Sequence, residues 1–274
     1  MRSPELSYYT AVSNKLPPAF DGLKIIQLSD LHNQTFGKNN RLITDLINAE
    51  NPDLVIMTGD MFSHSTPHLS DFVGMIENIT KKYPLYYVNG NHELSDTNTT
   101  VFNMIAHEAA RLGAVCVDNK RVTVKRRNES IEIAGLCYGA EYYKGVRKIG
   151  RNYKKVTPGV ITSFLGQKTD RFTILLAHNP LDFDAQAVWG ADVSFGGHIH
   201  GGVVRIPVPR RFKSIIGRPG LLSPERRLFP KYQAGHYTKR THDGVVHHLI
   251  VSRGLGRFRI NNRSDLVCCV LSCA

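Results

Sequence analysis

Five times along this chain a short apolar run breaks off into carboxylate, carboxamide or imidazole side chains. Residues 24–29 lead into Asp30-Leu31-His32, 54–57 into Gly59-Asp60, and 85–88 into Gly90-Asn91-His92-Glu93. Residues 172–177 lead into His178, and 192–195 into Gly196-Gly197-His198-Ile199-His200. The first three groups are evenly spaced, 30 residues from Asp30 to Asp60 and 31 from Asp60 to Asn91. About 30 residues is the length of one strand–helix–strand unit. The stretches between agree: 40–50 carries Leu42, Ile43, Leu46 and Ile47 on one helical face, 70–82 carries Phe72, Val73, Ile76 and Ile79, and 98–112 predicts a third helix. Such alternation predicts right-handed crossovers and a parallel sheet. The polar groups then line its carboxyl edge, where open α/β folds bind ligands.

The second half is less regular. Residues 121–124 and 131–136 predict a hairpin about Arg126-Arg127-Asn128, and 144–155 a basic surface segment. Strands are expected at 172–177 and 192–195 with a short helix at 181–188 between them, and again at 245–251 and 266–271. Residues 203–230, rich in Pro, Gly and Arg, predict a long loop. With no internal repeat and no linker, one domain over 1–274 is expected, with 1–20 as an N-terminal extension and 203–232 as a long basic loop.

Composition narrows the partners. Thirty-five basic residues against 23 acidic ones give +12, which suits an anionic partner (nucleic acid, lipid head groups, a phosphorylated small molecule) and equally a solubilising surface. Five cysteines without a C-x-x-C pair argue against a zinc ribbon or disulfide framework and suit a reducing compartment. The first 20 residues lack the apolar core of a signal peptide, and no window is long and apolar enough for a membrane span. A cytoplasmic protein is expected, with peripheral membrane contact compatible.

The strand-end groups supply two Asp, one Asn and five His. Imidazole and carboxylate suit Mn, Fe, Co or Zn better than Ca. One ion rarely takes more than six ligands, whereas two ions sharing a carboxylate use such a set fully. Two metals about 3.5–4 Å apart form the clamp for in-line phosphoryl displacement. Any one of these motifs alone is weak; five in order, each after an apolar run, point jointly to this chemistry.

The order Asp30-x-His32, Gly59-Asp60, Gly90-Asn91-His92-Glu93, His178, Gly197-His198-x-His200 resembles the calcineurin-like metallophosphoesterase superfamily over about residues 24–202. The tail, with Leu221-Leu222-Ser223-Pro224, Phe229-Pro230-Lys231-Tyr232 and Ser252-Arg253-Gly254-Leu255-Gly256, resembles a bacterial branch whose members often carry a membrane anchor or export signal, and some of which act on lipid- or nucleotide-linked phosphodiesters. The resemblance implies an α/β fold, a four-layer α/β/β/α sandwich of two packed mixed sheets. It implies two divalent or trivalent ions (Mn, Fe or Zn, with Mn favoured), one held by Asp30, His32, Asp60 and His200, the other by Asp60, Asn91, His178 and His198. Asp60 would bridge them, and a hydroxide between the ions would be the nucleophile. His92 would be the catalytic acid, oriented by Glu93. One departure is visible: the family often has an acidic residue where Ser63 stands.

The expected function is metal-dependent phosphoester hydrolysis, phosphodiester ahead of monoester. The alternatives are a nuclease of the same superfamily and a non-catalytic metal-binding scaffold. No helix-turn-helix, finger or base-stacking platform is evident, so no specific nucleic-acid binding is expected. His64 and His68 read as solvent-facing, and His247-His248 as structural, with only one facing the core. Arg205, Arg210, Arg211, Lys213, Arg218, Arg226 and Arg227, interleaved with Phe212, Ile215 and Ile216, suit a second phosphate or an anionic membrane surface.

Overall fold

A strand that is apolar at every position has to be covered on both sides. Leu54–Thr58 is buried along its whole length, and so is Thr173–Ala177. In the first of these the side chains divide by parity: Val55 and Met57 enter one core, Leu54 and Ile56 another. That is the pattern of strands central to a sheet with layers on both faces.

The computed structural model describes residues 3–62, 69–94, 99–143, 154–202, 204–205, 220–222, 231–256 and 262–274. In chain order the elements are β1 (Glu5–Ser13), β2 (Leu23–Leu28), α1 (Arg41–Glu50), β3 (Leu54–Thr58), α2 (Leu69–Thr80), β4 (Leu85–Val88), α3 (Thr99–Arg111) and β5 (Val115–Cys116). Then follow β6 (Lys120–Arg126), β7 (Glu129–Leu136), α4 (Pro158–Leu165), β8 (Thr173–Ala177), α5 (Phe183–Trp189) and β9 (Val193–Gly196). Last come β10 (Val204–Arg205), β11 (Gly220–Leu222), β12 (Gly235–Arg240), β13 (Val246–Val251) and β14 (Asp265–Cys273).

They build two six-stranded mixed sheets, in the orders β1-β14-β2-β3-β4-β5 and β12-β13-β9-β8-β7-β6. The two sheets stack through a core that includes Ile25, Ile56, Val88, Ile133, Ile174, Leu176, Phe195 and Ile250. Helices α1, α2 and α3 cover the outer face of the first sheet through Ile43, Ile47, Phe72, Ile76 and Ile105. Ile161, Leu165 and Trp189 of α4 and α5 cover the second. The result is the α/β/β/α sandwich. Local chemistry sets the boundaries: α1 stops because Asn51 turns left-handed (φ 47°) and returns its N–H to the Ile47 carbonyl, with Pro52 next.

Three features depart from expectation. Residues 1–20 do not simply precede the fold: β1 pairs in parallel with β14 from Glu5↔Asp265 to Ser13↔Cys273. The 203–230 loop contains a two-stranded ribbon, β10 with β11. His247 and His248 are both buried, because β13 lies inside its sheet and is covered on both faces. His247 Nδ1 donates to the Ala191 carbonyl (2.6 Å). His248 Nε2 faces the Val12 carbonyl (3.0 Å) and so carries the proton, while its Nδ1 accepts from His236 Nε2 (2.9 Å). Ser63, His64, His68, residues 144–153 and the side chains of 203–230, including the basic cluster, lie outside the described residues.

Candidate metal centre

The carboxyl ends of β2, β3, β4, β8 and β9 meet at one edge of the sandwich, and the five polar groups meet there. His32 Nε2 and His200 Nε2 lie 3.2 Å apart, on residues 168 positions distant in sequence. His200 Nε2 is 3.5 Å from Asp30 Oδ1, and His178 Nε2 is 3.1 Å from Asp60 Oδ2. Three sets of potential ligand atoms each fall within 4.8 Å of one another: Asp30, His32 and His200; Asp60, His178 and His198; and His32, Asp60 and His92. Asp60 belongs to two of the sets and Asp30 to another, so the carboxylates are distributed as two adjacent ions would need. Asn91 sits in the turn between Gly90, whose α-carbon faces the Asp60 carboxylate, and His92, whose backbone N–H donates to Asp60 Oδ1 (2.9 Å).

The backbone is shaped for this convergence. Asp30 (φ 50°), His32 (48°), Asp60 (53°), His198 (62°) and His200 (54°) all occupy the left-handed region. Each such non-glycine residue costs about 1–2 kcal/mol, so five together need a purpose. Two glycines permit the close approach: a Cβ on Gly59 would lie 2.6 Å from Gly90 N, and one on Gly197 would lie 2.0 Å from Ser29 Oγ.

Neighbouring groups aim the ligands. His178 Nδ1 donates to the Thr58 carbonyl (2.7 Å), which leaves Nε2 facing the pocket. The Asp30 carboxylate accepts from Ser29 Oγ (2.6 Å) and from the His198 backbone N–H (3.1 Å). Buried Gln27 donates to Thr58 Oγ1 and the Gly196 carbonyl, tying β2, β3 and β9 together under the site. The ring of buried Tyr143 stands edge-on to His198 at 5.3 Å. Glu93 is buried one residue after His92. Its oxygens accept from the backbone N–H groups of Asp60 (2.8 Å), Phe62 (3.0 Å) and Gly90 (2.7 Å), locking the β3 and β4 loops together. Sequence reasoning does not single out Gln27, Ser29 or Tyr143. Their one signal is a polar interruption of an apolar run, visible for Gln27 between Ile26 and Leu28.

The electrostatics favour a cation. Burial works against ionisation of Asp30, but the imidazoles of His200, His178 and His32 outweigh it and hold the carboxyl below its ordinary value. The same contest, won by His178, His92 and His32, puts Asp60 well below it. Burial pushes His178 down, and Asp60 more than reverses that, to about 10. Burial, aided by Asp60, drives Glu93 up to about 7 despite its N–H donors. Asn91 Oδ1 is buried without a hydrogen-bond partner, and His178 Nε2, although 3.1 Å from Asp60 Oδ2, has no well-aligned one. Buried polar atoms are rarely left so, and a metal ion would satisfy both. The nitrogen and oxygen donors therefore fit a transition-metal centre.

Comparison with known proteins agrees. The family model for calcineurin-like phosphoesterases matches residues 23–202. An uncharacterized metallophosphoesterase of Bacillus subtilis, YkuE, is 26% identical over 267 residues, covering 93% of this chain and 80% of that protein. Another from Campylobacter jejuni is 24% identical over 74% of this chain, which spans only 50% of that relative's length. The UDP-2,3-diacylglucosamine pyrophosphatase LpxG of Chlamydia muridarum is 25% identical over 98% of this chain and 90% of its own. Among solved structures, the protein TT1561 of Thermus thermophilus superposes with a TM-score of 0.50 at 10% identity, covering 86% of this chain and 90% of that one, a likeness of fold.

Proposed function

The chain belongs to the calcineurin-like phosphoesterase family, and from that premise we propose that this metallophosphoesterase hydrolyses phosphodiesters at a two-metal centre. Asp30, His32, Asp60 and His200 would hold one ion. Asp60, Asn91, His178 and His198 would hold the other, with Asp60 shared. The observation that carries this assignment is the place of Asp60 in two ligand sets, each within 4.8 Å.

Bound ions would supply Lewis acidity at the phosphoryl oxygens and bring the pKa of water down to about 7. Manganese, iron and zinc suit these donors, and manganese is our first choice. The chain's own part is to place charge and protons. Asp60, ionised and anchored through its backbone N–H on Glu93, sits at the centre. His92 has a side chain 27% exposed with Nε2 3.9 Å from Asp60 Oδ2, at the accessible side of the site. There it can give a proton to the departing oxygen.

The likeness to a protein named as a UDP-2,3-diacylglucosamine pyrophosphatase supports a phosphate linkage joining two bulky groups, lipid- or nucleotide-linked, over a simple monoester. The +12 charge supports contact with an anionic membrane surface on which such a substrate would lie. Pairing of β1 with β14 supports taking residues 1–274 as one domain.

The test is a hydrolysis screen of the Mn-loaded protein with a bis-aryl phosphodiester, an aryl monoester, single-stranded DNA and a lipid-linked diphosphate. The diesters and diphosphate should outpace the monoester. Asp60→Asn should lose metal and slow turnover about a hundredfold or more, since several kcal/mol of charge stabilisation go with the ions. An Asp60→Asn variant as active as wild type would refute the assignment.

A further inference from the structure

We propose that the crossover from β13 to β14, which lies beyond the 23–202 match, positions one half of the metal centre, and that Asn262 is its positioning residue. The proposal rests on the two-ion reading above. The described residues on the two sides of this crossover, 252–256 and 262–265, reach the two ligand-bearing loops that meet over the Asp30–His32–His200 set.

On one side, Leu255 N donates to the Ser29 and Asp30 carbonyls (2.9 and 3.2 Å), and Gly256 N donates to the Asp30 carbonyl (2.6 Å). The approach is so close that a Cβ on Gly256 would lie 2.9 Å from the Asp30 carbonyl oxygen and 3.1 Å from His32 Cδ2. On the other side, Asn262 Nδ2 donates to the His200 carbonyl (2.6 Å) and the Gly202 carbonyl (3.3 Å). Arg253 anchors the crossover: its Nε and backbone N–H donate to Asp265 Oδ2 (3.1 and 3.2 Å), and its guanidinium reaches Glu5 and Ser7 of β1 (3.3 Å each). Ser264 Oγ closes the loop onto the Leu255 carbonyl (2.8 Å).

Asp30, His32 and His200 all sit in left-handed backbone, a conformation that persists only where surroundings over-determine it. The crossover supplies N–H donors to the carbonyls of two of these three residues, Asp30 and His200. None of these hydrogen bonds ends on Asp60, Asn91, His178 or His198. Towards that side Ser252 N meets the Gly196 carbonyl, which continues the β13–β9 ladder. Through these described residues the crossover governs affinity for the ion on the Asp30 side.

The experiment measures Mn(II) binding to the full chain by calorimetry in two backgrounds. His198→Ala leaves the Asp30 side to be read, and His200→Ala leaves the Asp60–His178 side. Asn262→Ala should weaken the ion remaining in the His198→Ala background by about 10–100-fold, the usual effect of removing a group that orients a ligand. In the His200→Ala background it should change nothing. Gly256→Ala, acting from the opposite side of the loop through Asp30 and His32, should give the same one-sided result, and covers the case in which Asn262→Ala fails to fold. Equal weakening in both backgrounds, or none in the His198→Ala background, overturns the inference while the two-ion reading stands. Wild type that takes up fewer than two Mn per chain overturns that reading, and the inference with it.

Discussion

A left-handed φ at a bulky residue is a local cost with no local return, and five of the seven expected ligands carry one. The strain turns each side chain off the strand axis and into a shared space. Asp60 shows how one residue serves several ends: its carboxylate lies beside His178, His32 and His92, while its N–H is fixed by Glu93. His92 differs from His32, His178 and His200 in its exposure, its side chain being 27% accessible against 10% or less for theirs. If it is the acid, His92→Ala should keep two metals per chain by elemental analysis yet lower kcat by about 10²–10⁴. The loss should shrink for aryl leaving groups acidic enough to depart without a proton. A His92→Ala protein short of one metal would make it a ligand instead.

Among the elements, those with a strong period or a continuous apolar run are legible from sequence, even the four-residue β4, expected at 85–88 and found at Leu85–Val88. Helix α1, expected from 40 to 50, runs Arg41–Glu50, because its stripe of Leu42, Ile43, Leu46 and Ile47 is uninterrupted and Asn51-Pro52 ends it. The eight-residue α4 escapes the sequence reading. Its signal is the cap: Thr157 accepts from the Val160 N–H, with Pro158 in the first turn. Thr157→Ala should cost about 1 kcal/mol and lower the midpoint of thermal unfolding by about 2–4 °C for a chain of this size. A shift within error would show that packing of Ile161 and Leu165 alone holds the helix. The seven expected ligands are legible because each closely follows an apolar run. The groups that aim them are not. Gln27 and Asn262 act through contacts made by folding, 169 residues away in the case of the Gly196 carbonyl that Gln27 meets. Sequence order records nothing of such pairs.

For the whole molecule, the joint between the sheets matters as much as either sheet. One part of it is the chain from His236 to His248 to the Val12 carbonyl, which ties β12 and β13 to β1. Burial holds both imidazoles below their ordinary value, and for His248 the neighbouring His236 adds to it. The unfolded chain therefore takes up protons here more readily than the folded one below about pH 6.5. The stability from this pair is present above that pH and is lost as pH falls through the window beneath it. Thermal unfolding of the metal-free protein should move to lower temperature between about pH 7 and pH 5. His248→Gln, which keeps a donor for Val12 but cannot titrate, should reduce that pH dependence. Parallel curves for the two proteins would contradict the assignment.

Among the described strands of the first sheet, the one synthesised last is not the outermost. β14 lies between β1 and β2, bonded to both. A ribosome that has delivered β2, β3, β4 and the turns after them has therefore made every expected ligand that the first sheet contributes but has left a gap beside β2. Nothing can fill that gap until β14, which ends at Cys273, emerges. Contacts this distant in sequence form slowly, and the edges of β1 and β2 stay open to mispairing until they do. Metal loading then belongs after β14 has emerged, and a chain stopped short of it should be held by chaperones or degraded rather than accumulate as a half-loaded enzyme.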